Sequence, residues 1–330
     1  VKELFRVIAI CTAVAGVLNA CHQEDPEGEV SFDRINGFLI SDQGEKFLAT
    51  DQGLFSFDQS QGRYEFVQSQ AHHAPVRDLA YSGTDQGKEL WLATPSGACN
   101  YTAEGSVTED NSPLHSNDVS RIHFDHFQNA FFAVPGGLSI RNNENWIWST
   151  GMDSIYEKYD ITDIATASDG YTYVTTNGGG VERFRSDVDG ISGATVFETD
   201  WTKLLSNQIN SVYIDDTIQV YATDCGAALH FSEFTKWDWL IYTTREGLVH
   251  DTVLSAVRDH SGSWWFGTAG GVSRLDGSIW TNYTYETDDL VSDRIKFMAV
   301  DPAGSVWAAS DEGLSRYMNG RWISYPKNTQ

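Results

Sequence analysis

The chain has 330 residues, of which 21% are charged and 13% aromatic, and its formal net charge is −24. That balance excludes the basic surface a nucleic-acid partner needs and argues against electrostatic adhesion to anionic lipid. The aromatic content supplies ample core material, and an all-β chain of this length fits a single domain.

Residues 1–21 read as a targeting segment. Lys2 and Arg6 supply positive charge, and the apolar run Val7–Leu18 is short for a bilayer span but suits a secretory signal. The run ends in Leu-Asn-Ala-Cys, with Ala20 directly before Cys21. A small residue ahead of cysteine at this place resembles the lipobox of bacterial lipoproteins, which implies cleavage before Cys21 and lipid on its thiol. An ordinary cleaved signal, or an uncleaved anchor, is the alternative. Residues 22–29, with Glu24, Asp25, Glu27 and Glu29, read as a solvated acidic tether. The same acids resemble the signals that send some lipoproteins to the outer cell surface. The expected location is therefore an exported, outer-membrane lipoprotein that faces the periplasm or the cell surface, touching the membrane only through its lipid.

From residue 30 to 330 one pattern repeats. An apolar run ends in a small or hydroxyl residue, and a Gly follows three positions later: Thr50 and Gly53, Thr94 and Gly97, Val134 and Gly137, Thr176 and Gly179, Thr223 and Gly226, Thr268 and Gly271, Ser310 and Gly313. The anchors are spaced 44, 40, 42, 47, 45 and 42 residues apart. Fifteen and twelve residues before the anchor stand two apolar residues, as in Ile35 and Phe38 or Ile161 and Ile164. Asp recurs nine before it (Asp125, Asp259, Asp301, and Asp215 after a one-residue shift), and Trp recurs twelve after it (Trp146, Trp280, Trp322). Trp201 and Trp239 read as the same residue displaced by longer connections.

Each unit therefore predicts four short strands: the apolar pair, a run such as Trp-Trp-Phe-Gly-Thr, a run such as Gly-Val-Ser-Arg-Leu, and a run such as Ile-Trp-Thr-Asn-Tyr. Gly, Asp, Asn and Ser mark the joints, as hairpins require. The Gly of the anchor supplies a positive φ or a bulge where the second strand turns into the third. One such sheet cannot bury both its faces, and repetition around a ring solves the problem. Periods of 40–47 residues with four strands each predict an all-β, seven-bladed β-propeller over residues 30–330. How the ring closes is left open between simple packing of the last blade and an added outer strand from Glu-Val-Ser-Phe near Val30.

The sixth and seventh copies, 247–283 and 289–325, closely resemble the two-component regulator propeller repeat; the first five resemble it more loosely. That resemblance implies a propeller of the kind that forms the exported sensing half of hybrid histidine kinases, where it detects glycan fragments. No kinase segment stands in this sequence, so the resemblance implies a propeller without its own signalling half.

Catalytic signatures are scarce. The sequence has no G-x-S-x-G and no H-E-x-x-H. Cys99 and Cys225 fall on nearly opposite copies, so no disulfide is expected between them. His72, His73, His115 and His250 lie where the outer strand of one copy returns to the inner strand of the next. They read as polar loop residues, or as bases of a lyase similar to virginiamycin B lyase, which uses His and Mg²⁺. Asp187–Gly190, Asp-Val-Asp-Gly, offers too few ligands for calcium. No metal or cofactor is expected.

Just ahead of each inner strand stand Asp33, Ala74, Asn117, Tyr159, Asn207, Asp251 and Asp293. Asp and Asn there bind backbone at a turn, or form a ring of acceptors around a ligand, joined by Arg77, Arg294, His115 and His250. Neutral sugars or small polar ligands would suit such a ring. The expected function is a monomeric binding or scaffold module for a glycan fragment or protein partner. The alternatives are a lyase and a component of a sensor or secretion assembly.

Overall fold

The structure is a computed structural model that describes residues 32–67, 75–83, 87–102, 105–142, 145–187, 190–200, 202–215, 218–231 and 239–327. Cys21, the acidic tether, His72, His73, Ala74 and Trp201 lie outside the described residues.

Blade six shows how the residues make a blade. Its strands run Val253–Arg258, Trp264–Thr268, Gly271–Asp276 and Ile279–Tyr283, hydrogen-bonded in that order. Asp259 closes the first hairpin: its Oδ1 accepts from the Ser261 and Ser263 amides, and its Oδ2 accepts from Trp265 Nε1 at 2.7 Å. The recurrent Asp therefore caps a turn and at the same time fixes a tryptophan two strands deep in the core. Blade seven repeats this with Asp301, Ser305 and Trp307.

At the anchor, Thr268 Oγ1 donates to the Gly271 carbonyl at 2.8 Å and accepts from the Gly270 amide at 3.1 Å. Thr50, Thr94 and Thr223 make the same bond to Gly53, Gly97 and Gly226. The glycine is required at this joint. At Gly313 φ is 132°, and a Cβ would come within 2.3 Å of the Tyr325 carbonyl oxygen. Blade four corrects the expected register. Thr176 bonds to Gly180, and it is Gly180 that takes the positive φ of 77°, not Gly179, because one extra residue lengthens the turn.

Seven such four-stranded antiparallel sheets span residues 35–67, 78–107, 121–149, 161–197, 209–242, 253–283 and 297–326. The first strand of each lies beside the first strand of the next, and that of blade seven lies beside that of blade one. The chain is a closed, seven-bladed β-propeller, as the repeat predicts. The recurrent outer tryptophans Trp146, Trp239, Trp280 and Trp322 all fall on fourth strands.

The core lies between blades. The first residue of each apolar pair is buried in all seven copies (Ile35, Val76, Val119, Ile161, Ile209, Val253 and Ile295), on the inner strand in blades one, four, five and six and two residues ahead of it in blades two, three and seven. Tyr283 on the outer strand of blade six packs on Tyr317 and Trp322 of blade seven, with ring centroids at 5.5 and 5.8 Å. Each large side chain so buried contributes roughly 1.5–3 kcal/mol.

Closure is by side-chain packing among the described residues. Tyr64 of blade one donates to the Tyr325 carbonyl at 2.5 Å and accepts from the Leu314 amide at 2.8 Å, both in blade seven. Phe57 packs on Tyr325 and Trp307, and Phe32 packs on Phe55 and Tyr64. Among the described residues no strand is exchanged across this seam. Of the segment Glu-Val-Ser-Phe, only Phe32 is described, and it serves as a core plug.

Candidate functional site: the upper face and the inner ring

Alternating strand direction puts two sets of joints on one face: the anchor turns, and the connections from each fourth strand to the next first strand. This upper face collects the residues singled out in the sequence.

Four of the recurrent Asp and Asn residues do the same job. The Oδ1 atoms of Asn117, Asn207, Asp251 and Asp293 accept from the backbone amides of Glu109, Thr199, Thr244 and Tyr285, at 2.7–2.8 Å. Each closes its blade-to-blade connection into a fixed loop, which supplies the backbone role expected of them. Asp33 is exposed, and its own amide is held by Asp51. Arg77 Nη1 pairs with Asp118 at 2.6 Å, while Arg294 is exposed. His250 Nδ1 accepts from the Thr252 amide at 2.9 Å, so that nitrogen is taken.

Aromatic rings cover the anchor turns. His115 stacks on Trp148 at 3.7 Å with planes only 12° apart, and the Trp148 ring edge lies over Gly137. Tyr159 lies over Gly178 and Gly179, Phe66 over Gly53, and His250 over Gly270. Trp148, Tyr159 and Phe66 are 36%, 39% and 41% exposed, so flat ring surface reaches solvent at three blades of this face.

The inner strands carry a second polar set that the sequence pattern missed. Each junction is stitched there. Asn36 Nδ2 donates to the Val76 carbonyl, Asp78 Oδ2 accepts from the Ile122 amide, and Arg121 Nε donates to the Thr162 carbonyl. Asp163 Oδ2 accepts from the Val212 amide, and Asn210 Nδ2 donates to the Val253 carbonyl. The Ile295 amide donates to the Thr268 carbonyl, and Lys296 Nζ reaches the Ile35 carbonyl. At six of the seven junctions the side chain sits one or two positions after the first apolar residue, and a scan for polar residues at that offset would have found them; the junction of blades six and seven is backbone to backbone.

Burial shapes their charge. Asp163 is pushed up to about 6, first by desolvation and then by the Asp78 carboxylate, against the Val212 amide and Arg121. Asp78 is also raised by burial, with Arg121 opposing. Desolvation alone pushes His123, which meets Thr166 Oγ1 at 3.0 Å, down to about 4. The inner ring therefore holds two carboxylates around one guanidinium, each already tied to a neighbouring blade. Among the described residues no group of three or more His, Cys, Asp and Glu is arranged to hold a metal ion. Cys99 and Cys225 are free thiols.

No protein-family model matches the sequence, and no curated protein matches it significantly. Solved structures do match. The extracellular domain of a hybrid two component system from B. thetaiotaomicron superposes with a TM-score of 0.62 at 16% identity, over 88% of this chain and 46% of that one. This chain thus spans about half the length of that relative. A streptogramin B lyase superposes with a TM-score of 0.63 at 14% identity, over 87% of this chain and 93% of the other. The virginiamycin B lyase of Staphylococcus aureus gives 0.61 at 12%, over 86% and 93%. An extracellular domain of a two component system and a lyase fit equally well, so these likenesses establish the propeller fold and choose no activity.

Proposed function

We propose that the chain is a binding module, exported and held at the cell envelope through lipid on Cys21, whose upper face takes up a glycan fragment. One observation carries this reading: the rings of Trp148, Tyr159 and Phe66 expose flat apolar surface among loops that Asn117, Asn207, Asp251 and Asp293 hold fixed. The C–H faces of a sugar stack on such rings, its hydroxyls need fixed polar partners, and pre-set loops lower the ordering cost of binding. Asp33, Arg77, His115, Tyr159, His250 and Arg294 stand on the same face and would supply the remaining polar contacts. The resemblance to the two-component propeller repeat, and the likeness to an extracellular sensor domain, agree with this assignment.

The test is a glycan-array screen of residues 22–330, with and without Mg²⁺, followed by calorimetry on the hits. The expected result is saturable binding without turnover, weakened at least tenfold by Trp148→Ala or Tyr159→Ala. Cleaved product would instead favour the lyase, and retention of a protein partner with no glycan bound would favour the scaffold.

A further inference from the structure

Residues 151–159 place two consecutive non-glycine residues in left-handed backbone, where the other described connection with a helical turn, Tyr285–Asp288, has one, Asp289. Gly151, Asp153 and Ser154 take φ values of 77°, 52° and 56°, and a single helical turn, Ile155–Lys158, follows. Asp153 and Ser154 are L residues in left-handed backbone, which costs each of them about 1 kcal/mol or more. Ile155 and Tyr156 are buried beneath this turn.

What lies underneath is also costly. Glu182 is 2% exposed; its Oε1 accepts from the Met152 amide at 2.9 Å, but its Oε2 has no partner of hydrogen-bond geometry. The Tyr156 hydroxyl is likewise buried, and its one polar neighbour is the Glu182 carboxylate, which lies within hydrogen-bond reach but in poor geometry and raises the hydroxyl's pKa further above the value burial gives. Buried polar atoms left in this state oppose the closed arrangement by about 1–3 kcal/mol each. The floor is built for close approach rather than interlocking: Tyr159 lies over Gly178 and Gly179, and Ile155 over Gly179. A cavity of about 280 Å³ runs along the segment, between Met152, Ile155, Lys158 and Tyr159 on one side and Val196 and Glu198 on the other.

We infer that residues 151–159 are a hinged strap on blade four, closed in this structure and held against stored backbone strain and a buried, poorly satisfied Tyr156–Glu182 pair. Lifting relaxes Asp153 and Ser154, hydrates Glu182 and Tyr156, and moves the Tyr159 ring off its glycine floor. If the upper face binds as proposed above, the strap sets whether Tyr159 is presented there. The strap itself does not depend on that reading.

Hydrogen exchange on the ligand-free chain tests it, independently of any glycan. The Tyr156 and Tyr159 amides, bonded to the Thr150 and Ile155 carbonyls, should exchange at least tenfold faster than the Leu248 amide, which is bonded to Thr243 in an upper-face loop without such strain. Tyr156→Phe removes one poorly satisfied oxygen at constant shape and should slow exchange across 151–159 about three- to tenfold. Gly179→Ala places a Cβ 2.5 Å from Ile155 Cγ1 and should quicken exchange there, with the other upper loops unchanged. Exchange as slow as that of Leu248, or a quickening by Tyr156→Phe, overturns the strap.

Discussion

Blades six and seven solve the packing problem one way, and blade four solves it another. In blades six and seven an Asp, a Trp and an Arg interlock: Asp301 holds Trp307 Nε1, and Arg316 lies over the same ring at 5.4 Å while its Nη2 binds Ser305. Blade four has no such Asp. Its turn begins at Ala167, its second strand carries Tyr173 where the others carry Trp, and Arg183 and Arg185 gather instead around Tyr171. Blade four also has the extra glycine and the strap. The regular blades put their side chains into holding the ring, and the irregular one carries the two consecutive left-handed residues Asp153 and Ser154, while buried polar atoms without a hydrogen-bond partner occur in both, at Tyr156 and Glu182 in blade four and at Arg274 and Trp322 in blades six and seven. Departures from a repeat are thus the better guide to a working surface.

The largest test of this contrast is Trp307→Ala. Trp307 is fully buried and anchors both its own blade and the seam, so the substitution should cost about 3–5 kcal/mol in denaturant unfolding. A loss below about 1 kcal/mol would mean that the regular blades are not what holds the ring.

Tyr64→Phe probes the seam without emptying the core. It removes the bonds to the Tyr325 carbonyl and from the Leu314 amide and should cost about 1–3 kcal/mol. No change would show that aromatic packing alone closes the circle.

The smallest effect concerns pH. Asp163 is raised from 3.8 to about 6, so its contribution is present below the unfolded value and is lost as pH rises through about 6. His123 is lowered from 6.5 to about 4, so its contribution is present above the unfolded value and is lost as pH falls through about 4. The two oppose each other between pH 4 and 6. Asp163→Asn removes one side, and the variant should lose stability on acidification more steeply than the parent, by on the order of 1–3 kcal/mol between pH 7 and 4. Equal slopes in urea melts across that range would show that Asp163 titrates normally.

The repeat alone determined the blade count, the order of strands within each blade and the buried first residue of every apolar pair, because those follow from local alternation and turn chemistry. It put Asn117, Asn207, Asp251 and Asp293 at the blade-to-blade connections for the same reason. It gave the positive φ to the wrong glycine in two copies: Gly136 takes it in blade three rather than Gly137, and Gly180 takes it in blade four, where an inserted residue shifts the turn without disturbing the spacing of the anchors. Only the tertiary structure decided that the ring closes by packing around Tyr64, and that Asn117, Asn207, Asp251 and Asp293 spend their side-chain oxygens on loop amides. The same holds for Asp78, Arg121 and Asp163 lying near enough to shift one another's charge and for Glu182 being buried beneath the strap. Each of these depends on a neighbour 40 or more residues away or on a loop of irregular geometry, and a local pattern carries no information about either.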